Sequence, residues 1–541
     1  MNRIQMLTVP SVTRIFADRE RLNPETEGSA FRNEVYKFQI AVLSAEEDLS
    51  GLTLSFGGAL KPYLTYCPVA DIPATLDNNE RLDDYVERAK DGMYPELCAE
   101  EKEFSLSAGK LRGVLVIVQG ELPAGRHKIT VFLQKGKELL AKTSYMLTVI
   151  DRELPETDLM ITNWMHYDSI AEQHGVAVFS EEFYRIFDRY LRAYVGMGNN
   201  MLLIPTVTPA LDTEIGSERL TAQLVKISKD GDTYAFDFSE LDRFLAFITE
   251  RGIRYFEFAH LFSQWGAKCC PKIMVSQNGE EKNLFGWNVA SDSAEYRAFL
   301  TQYLTALTDH IYENGWQDRS VMHLSDEPNE DSIDLYEAHY KFVKPLIRGI
   351  RTMDALSHVD FSLRGVVDLP VPITVTAPDF VSRDIPHLAY YCCGPENGYY
   401  SNRFFVMPGE RTRVIGVQLY KNRAGGFLQW GYNFYRTQLS RATVDPYAET
   451  SAGGAFLSGD AFIVYPDRER GGVEKSFRYY LMQDAFQDYR ALKLLEEVAG
   501  RQTAENLLSD FGVFGYNVYP HSPLLLRALR EAINRAVADN I

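Results

Sequence analysis

After Pro155 the sequence alternates short apolar runs with amphipathic stretches, and this rhythm constrains the fold more than any other feature. "MITNWMHYD" reads as a strand and "SEEFYRIFDRYLRAYVGMG" as the helix that follows. Phe183, Ile186, Phe187, Tyr190, Leu191 and Tyr194 fall on one face of that helix. "NNMLLIP" is a second strand. "FSELDRFLAFITERG" is a second helix, with Ser239 and Asp242 at capping-box spacing and Gly252 as its stop. "IRYFEFAHL", the helix in "EYRAFLTQYLTALTDHIYENG" and the strand "SVMHLSDEP" continue the pattern. "HVDFSL", "ITVTAPDF", "HLAYYCCGP" and "FLQWGYN" are expected to supply four more strands. Eight strands with interleaved helices predict an α/β TIM (β/α)8-type barrel over residues 156–541. It carries a C-terminal strand, "AFIVYP", and the helix "SFRYYLMQDAFQDYRALKLLEEVAG". The stretch between Pro370 and Pro395 is poor in helix, so an irregular second half is expected.

Residues 1–155 have another rhythm. "VYKFQIAVLS", "LSGLTLSFGG", "LRGVLVIVQG", "HKITVFLQKG" and "TSYMLTVIDRELP" are short strand-like runs separated by Gly, Pro and charged turns. They predict an N-terminal antiparallel β-sandwich without catalytic groups of its own. A chain of 541 residues exceeds what one core supports, which fits a multi-domain protein.

A formal net charge of −18 argues against nucleic acid, whose phosphates need Lys and Arg. Six cysteines, as two vicinal pairs (Cys269–Cys270 and Cys392–Cys393) and two singletons, match neither a disulfide framework nor a CxxC zinc site. The start "MNRIQMLTVPSVTRIF" has no apolar signal core, and no apolar run is long enough to span a membrane. A cytoplasmic location is therefore the expectation, with no membrane partner and with a homo-oligomer left open.

Barrel chemistry gathers at the C-terminal ends of strands. The first strand ends in Trp164 and His166; the third in Glu257 and His260, followed by Gln264 and Trp265. The fourth ends in Asp326 and Glu327, the seventh in Tyr390 and Tyr391 with Glu396 beyond, and the eighth in Trp430. Carboxylates among aromatic residues suit carbohydrate hydrolysis, with rings stacking on sugar faces. No HExxH or His-x-His spacing marks a metal site, and none is expected.

The adjacent pair in "HLSDEP" admits two readings. As residue types alone, Asp-Glu-Pro is a polar turn opening a helix. As chemistry, two neighbours on one strand end do not straddle a sugar as a retaining pair about 5–5.5 Å apart does. They suit a substrate that supplies its own 2-acetamido oxygen as nucleophile. Asp326 would then orient the acetamide, and Glu327 would serve as general acid and base.

"HLSDEP", "FEFAHLFSQWGA", "LFGWNVASDSAEYRAFL" and "GFLQWGYNFY" resemble the family 123 glycoside hydrolases and their barrel relatives, over nearly the whole chain. The resemblance implies an exo-acting β-N-acetylgalactosaminidase with Asp326 and Glu327 as its catalytic pair. It implies retention through an oxazolinium intermediate and no cofactor. Trp164, His166, His260, Gln264, Trp265, Tyr391 and Trp430 stand at the matching strand ends as candidate substrate contacts. The expected substrate is an oligosaccharide or glycan fragment with a terminal β-linked N-acetylhexosamine, GalNAc first. One alternative keeps Glu327 as acid/base and makes Glu396 the nucleophile on a non-acetamido sugar. The other is a carbohydrate-binding relative without turnover.

Overall fold

The N-terminal strands form two sheets that share one core. The computed structural model describes residues 4–76 and 82–540. One sheet has seven strands, in the order Ile4–Pro10, Tyr36–Ser44, Leu111–Val118, Leu64–Ala74, Gly92–Cys98, Gly472–Ser476 and Val464–Asp467. The other has five: Glu27–Phe31, Glu138–Ile150, Gly125–Lys135, Leu49–Gly57 and Phe104–Leu106. Phe38, Ile40, Val114 and Val116 of the first meet Leu54, Val131, Leu133 and Leu147 of the second, all buried. Pairing is antiparallel except where Glu27–Phe31 runs parallel to Met146–Ile150. The seven-stranded sheet thus takes its last two strands from residues 464–476, including the "VYP" of the expected "AFIVYP" strand.

The second region holds eight short parallel strands: β1 (Met160–Asn163), β2 (Met201–Ile204), β3 (Tyr255–Phe258), β4 (Ser320–Met322), β5 (Arg351–Ala355), β6 (Leu369–Val371), β7 (Ala389–Tyr390) and β8 (Gly426–Gln429). β2-β3-β4-β5-β6 form one sheet and β1-β8-β7 another. The backbone N–H of Asn200 donates to Ile161 O (3.1 Å) between β1 and β2. Leu388 N donates to Pro370 O (3.0 Å) between β6 and β7. The predicted helix faces are buried as expected: Phe183, Phe187, Tyr190 and Tyr194 on Glu181–Met197, and Leu241, Phe244, Leu245 and Ile248 on Ser239–Thr249.

Three local expectations fail. Ser239 does not cap its helix; Phe238 holds the cap position, and Asp237 Oδ1 accepts the Ser239 amide at 2.9 Å. "HVDFSL" is not a strand but contains the short helix Asp360–Leu363, halted by Gly365 at φ +68°. "ITVTAPDF" bends into the helix Ala377–Ser382, where Pro378 suits a first turn. The fifth and sixth strands are instead "RTMDA" and "LPV". Asp354 and Pro370 break the apolar signal that identifies a buried strand.

Among the described residues, no helix is long and apolar enough to cross a membrane. The helix Phe477–Ala499 is buried along most of its length and ties the two regions together. Its Asp484 meets Lys37 at 2.6 Å, and its Arg478 meets Glu96 at 2.7 Å.

Candidate active site

The C-terminal ends of β1, β4, β5, β7 and β8 open on one cleft. Its walls include Trp164, Asp212, Trp265, Asp326, Glu327 and Tyr390, with Trp430, Phe456 and the Cys392–Cys393 pair on the β7–β8 side. About 640 Å³ of space, part of it open solvent, lies between them. Among the described residues, no Lys or Arg lines the cleft.

β4 delivers the pair. After Met322 the chain leaves strand geometry, and Glu327 takes a left-handed backbone, φ +44°, rarely adopted by a residue with a side chain. Such strain persists where its surroundings enforce it. Here the carbonyl of Asp326 accepts the amide of Trp265 (2.8 Å), and the Glu327 carboxylate accepts the Tyr390 hydroxyl (2.8 Å). Burial and the charge of Glu327 push the Asp326 carboxyl well above its usual range. Burial also raises Glu327, and the Tyr390 hydrogen bond opposes that rise. Asp212, on the loop after β2, is pushed up to about 6 by burial. Asp460, which accepts the Trp430 indole N–H at 2.9 Å, is pushed up to about 7 by burial.

Beneath the pair runs a buried relay. His323 donates through Nδ1 to Asp354 (2.9 Å) and through Nε2 to Glu257 (2.7 Å). Burial opposes its charge, but the two carboxylates outweigh burial and hold the imidazolium up to about 9. Glu257 also accepts the Trp164 indole N–H (2.6 Å) and the Thr162 hydroxyl (2.7 Å). Tyr336 donates to Asp354. Ligand atoms of His260, His323 and Asp354 lie within 4.8 Å of one another, a spacing compatible with a metal ion. However, both His323 nitrogens already face carboxylates, and its ring stacks on His260 at 4.2 Å.

Of the residues singled out in the sequence, Asp326, Glu327, Trp164, Trp265 and Trp430 come together on the cleft; the other four lie behind its walls. His166 is buried, with Nε2 against Trp430 O (3.0 Å) and Nδ1 against Arg219 (3.1 Å). His260 is sealed against His323. Gln264 donates to Thr213 O (2.8 Å) and so braces the loop that carries Asp212. Tyr391 points away, its hydroxyl toward Met482 of the long helix. Strand alternation presents Tyr390 instead. Glu396 does not line the cleft. Asp212 and Asp460 were not legible: both sit on loops, outside any strand pattern.

A family model for the catalytic domain of glycoside hydrolase 123 matches residues 164–495, which contain the pair and most of the cleft. The chain belongs to glycoside hydrolase family 123. Its whole fold is similar to that of a family 123 glycoside hydrolase from Clostridium perfringens, described for glycolipid glycan hydrolysis. The TM-score is 0.74 and the identity 16%, over 99% of this chain and 97% of that one. A family 39 glycoside hydrolase from Bacteroides cellulosilyticus WH2 aligns at TM-score 0.34 and 11% identity, over 86% of this chain and 82% of that one. No curated protein matches the sequence. As a family 123 member the protein is a glycoside hydrolase acting on glycans, with a sheet-rich N-terminal region ahead of its catalytic domain.

Proposed function

We propose that this glycoside hydrolase removes a terminal β-linked N-acetylhexosamine, GalNAc first, with retention and with the substrate's acetamide as nucleophile. The observation that carries this reading is the adjacent Asp326–Glu327 pair, both members on the cleft and both raised in pKa. Three indoles, Trp164, Trp265 and Trp430, offer apolar faces for the sugar. Burial and the Glu327 charge favour a proton on Asp326. An acetamide N–H donated to Asp326 favours its anion and transfers the shared proton to Glu327, where a general acid needs it. Attack by the acetamide oxygen on the anomeric carbon then forms the oxazolinium as Glu327 protonates the leaving oxygen. Glu327 next deprotonates the water that opens the ring. The acetamide would therefore supply both the nucleophile and the correct proton placement.

In the same reading the scaffold is a β-sandwich over residues 1–155, completed by the two strands of residues 464–476, and a (β/α)8-type barrel formed within 156–541. The hydrogen bonds that join the three- and five-stranded parallel sheets at both junctions support the barrel. The substrate is a glycan fragment hydrolysed in the cytoplasm without a cofactor.

The test is a panel of aryl glycosides with wild type, Asp326→Asn and Glu327→Gln. Hydrolysis confined to 2-acetamido sugars, blocked by a thiazoline mimic and lowered at least about 10²-fold by either substitution, is expected. Equal turnover of the β-galactoside and its N-acetylated analogue would falsify the acetamide's role. Saturable sugar binding without turnover would identify a binding protein instead.

A further inference from the structure

The Cys392–Cys393 pair is not used by the chemistry above, yet both residues line the cleft beside Glu327. Both thiols are free and partly exposed, and their sulfurs stand 3.6 Å apart. A disulfide needs about 2.05 Å. Two sulfurs each about 2.3 Å from one cation at a tetrahedral angle stand about 3.8 Å apart. The two thiols are hydrogen-bonded rather than bridged, at a spacing that one shared cation could also span.

The turn that presents them is fixed. Buried Asn402 donates Nδ2 toward the carbonyls of Cys392 (3.2 Å), Gly394 (3.3 Å) and Pro395 (3.4 Å), and Cys392 N donates to Gly394 O (3.0 Å). The surroundings are rich in carboxyl groups, with Asp326, Glu327 and Asp212 on the same cleft and, among the described residues, no basic side chain lining it. The other vicinal pair is unlike this one. Cys270 is buried and points its sulfur toward Val289 O at 3.4 Å.

We propose that Cys392 and Cys393 form a two-sulfur site for a soft divalent cation of the zinc and cadmium kind, and that its occupation shuts the cleft. On binding, each S–H bond is replaced by a sulfur–metal bond, two protons pass to solvent, and the metal keeps its oxidation state. Soft thiolates select such cations over magnesium or calcium. Cation binding stands independently of the hydrolytic reading; inhibition rests on it.

The experiment titrates cadmium into full-length protein without substrate, following thiolate-to-cadmium absorbance and proton release, then repeats the titration during hydrolysis. Wild type is expected to gain the absorbance band, release two protons per cation, and lose turnover reversibly when a dithiol chelator is added. Losing one outer partner of a metal site costs about 10- to 100-fold. Cys392→Ser/Cys393→Ser, losing both ligands, is thus expected to bind cadmium more than about 100-fold more weakly. Each variant's inhibition is referred to its own uninhibited rate, and Cys269→Ser serves as the control that keeps the site. Cadmium absorbance or inhibition undiminished in the double variant overturns the proposal. The band without loss of turnover overturns the closing of the cleft. Because the band is read without substrate, a failed glycosidase assignment would leave it in place.

Discussion

Two of the clusters of buried charge in this molecule differ in their balance. At the junction of the sheet-rich region with the C-terminal helices, Arg413 grips Asp488 through two bonds of 2.7 Å. Arg530 joins Asp488 (2.8 Å) to Glu34 (2.7 Å), and Lys37 holds Asp484 (2.6 Å). Burial there works against the Asp488 anion, but its arginines win and hold it below the usual carboxylate range. In the cleft, Asp326, Glu327 and Asp212 share one rim with no basic side chain among the described residues, and His323 beneath is committed to Asp354 and Glu257. All three rim carboxyls are raised. Matched charge stays ionised and fixes geometry; surplus charge holds protons that can be moved. Both clusters are buried, so burial alone does not mark the catalytic one.

The contrast breaks first at Glu327. Glu327→Gln is expected to lower aryl-glycoside turnover by about 10²–10⁴ with little change in thermal unfolding, because it removes one of the excess carboxyls. At the junction the effects should exchange. Arg413→Met leaves two aspartates short of a partner, and denaturant unfolding should show a loss of about 3–5 kcal/mol while the rate per folded molecule stays the same.

Asp212 sharpens the comparison through pH. Its folded value of about 6 lies above the unfolded value, so the folded state binds more protons between them. Stability contributed by its neutral form is therefore present below about pH 4 and lost as pH rises through about 6. Asp212→Asn should remove that decline and raise neutral-pH stability by on the order of 2 kcal/mol, seen in unfolding curves across the pH range. Asp488, held low, acts oppositely: its contribution is present above the unfolded value and lost as pH falls through its folded value. Smallest is Tyr390→Phe. Losing the donor to Glu327 should raise that carboxyl by roughly 1 kcal/mol, under one pH unit, and move the basic limb of the pH–rate profile upward.

Much of this was legible from periodicity. Phe183 to Tyr194 and Leu241 to Ile248 announce buried helix faces because nothing polar interrupts them. β5 and β6 were hidden by the residues that serve the site or end the ladder: Asp354 is the partner of His323, and Pro370 brings no amide to the sheet. The pair at 326–327 was visible because it ends a strong strand signal. Tyr390 was not separated from Tyr391, since a two-residue strand gives alternation too little length to set its phase. His166 and His260 look like ligands in sequence, but their distance from solvent depends on contacts with Arg219 and His323 from remote segments.

The seven-stranded sheet has a consequence for synthesis. Its strand Gly92–Cys98 pairs at Leu97 and Cys98 with residues 475 and 476. At about 5–20 residues per second, the ribosome delivers that partner about 20–75 s after Cys98 is made. Until then the nascent chain carries an open β-edge, the kind of surface that captures other strands. Folding of the first region is thus timed by translation of nearly all of the second.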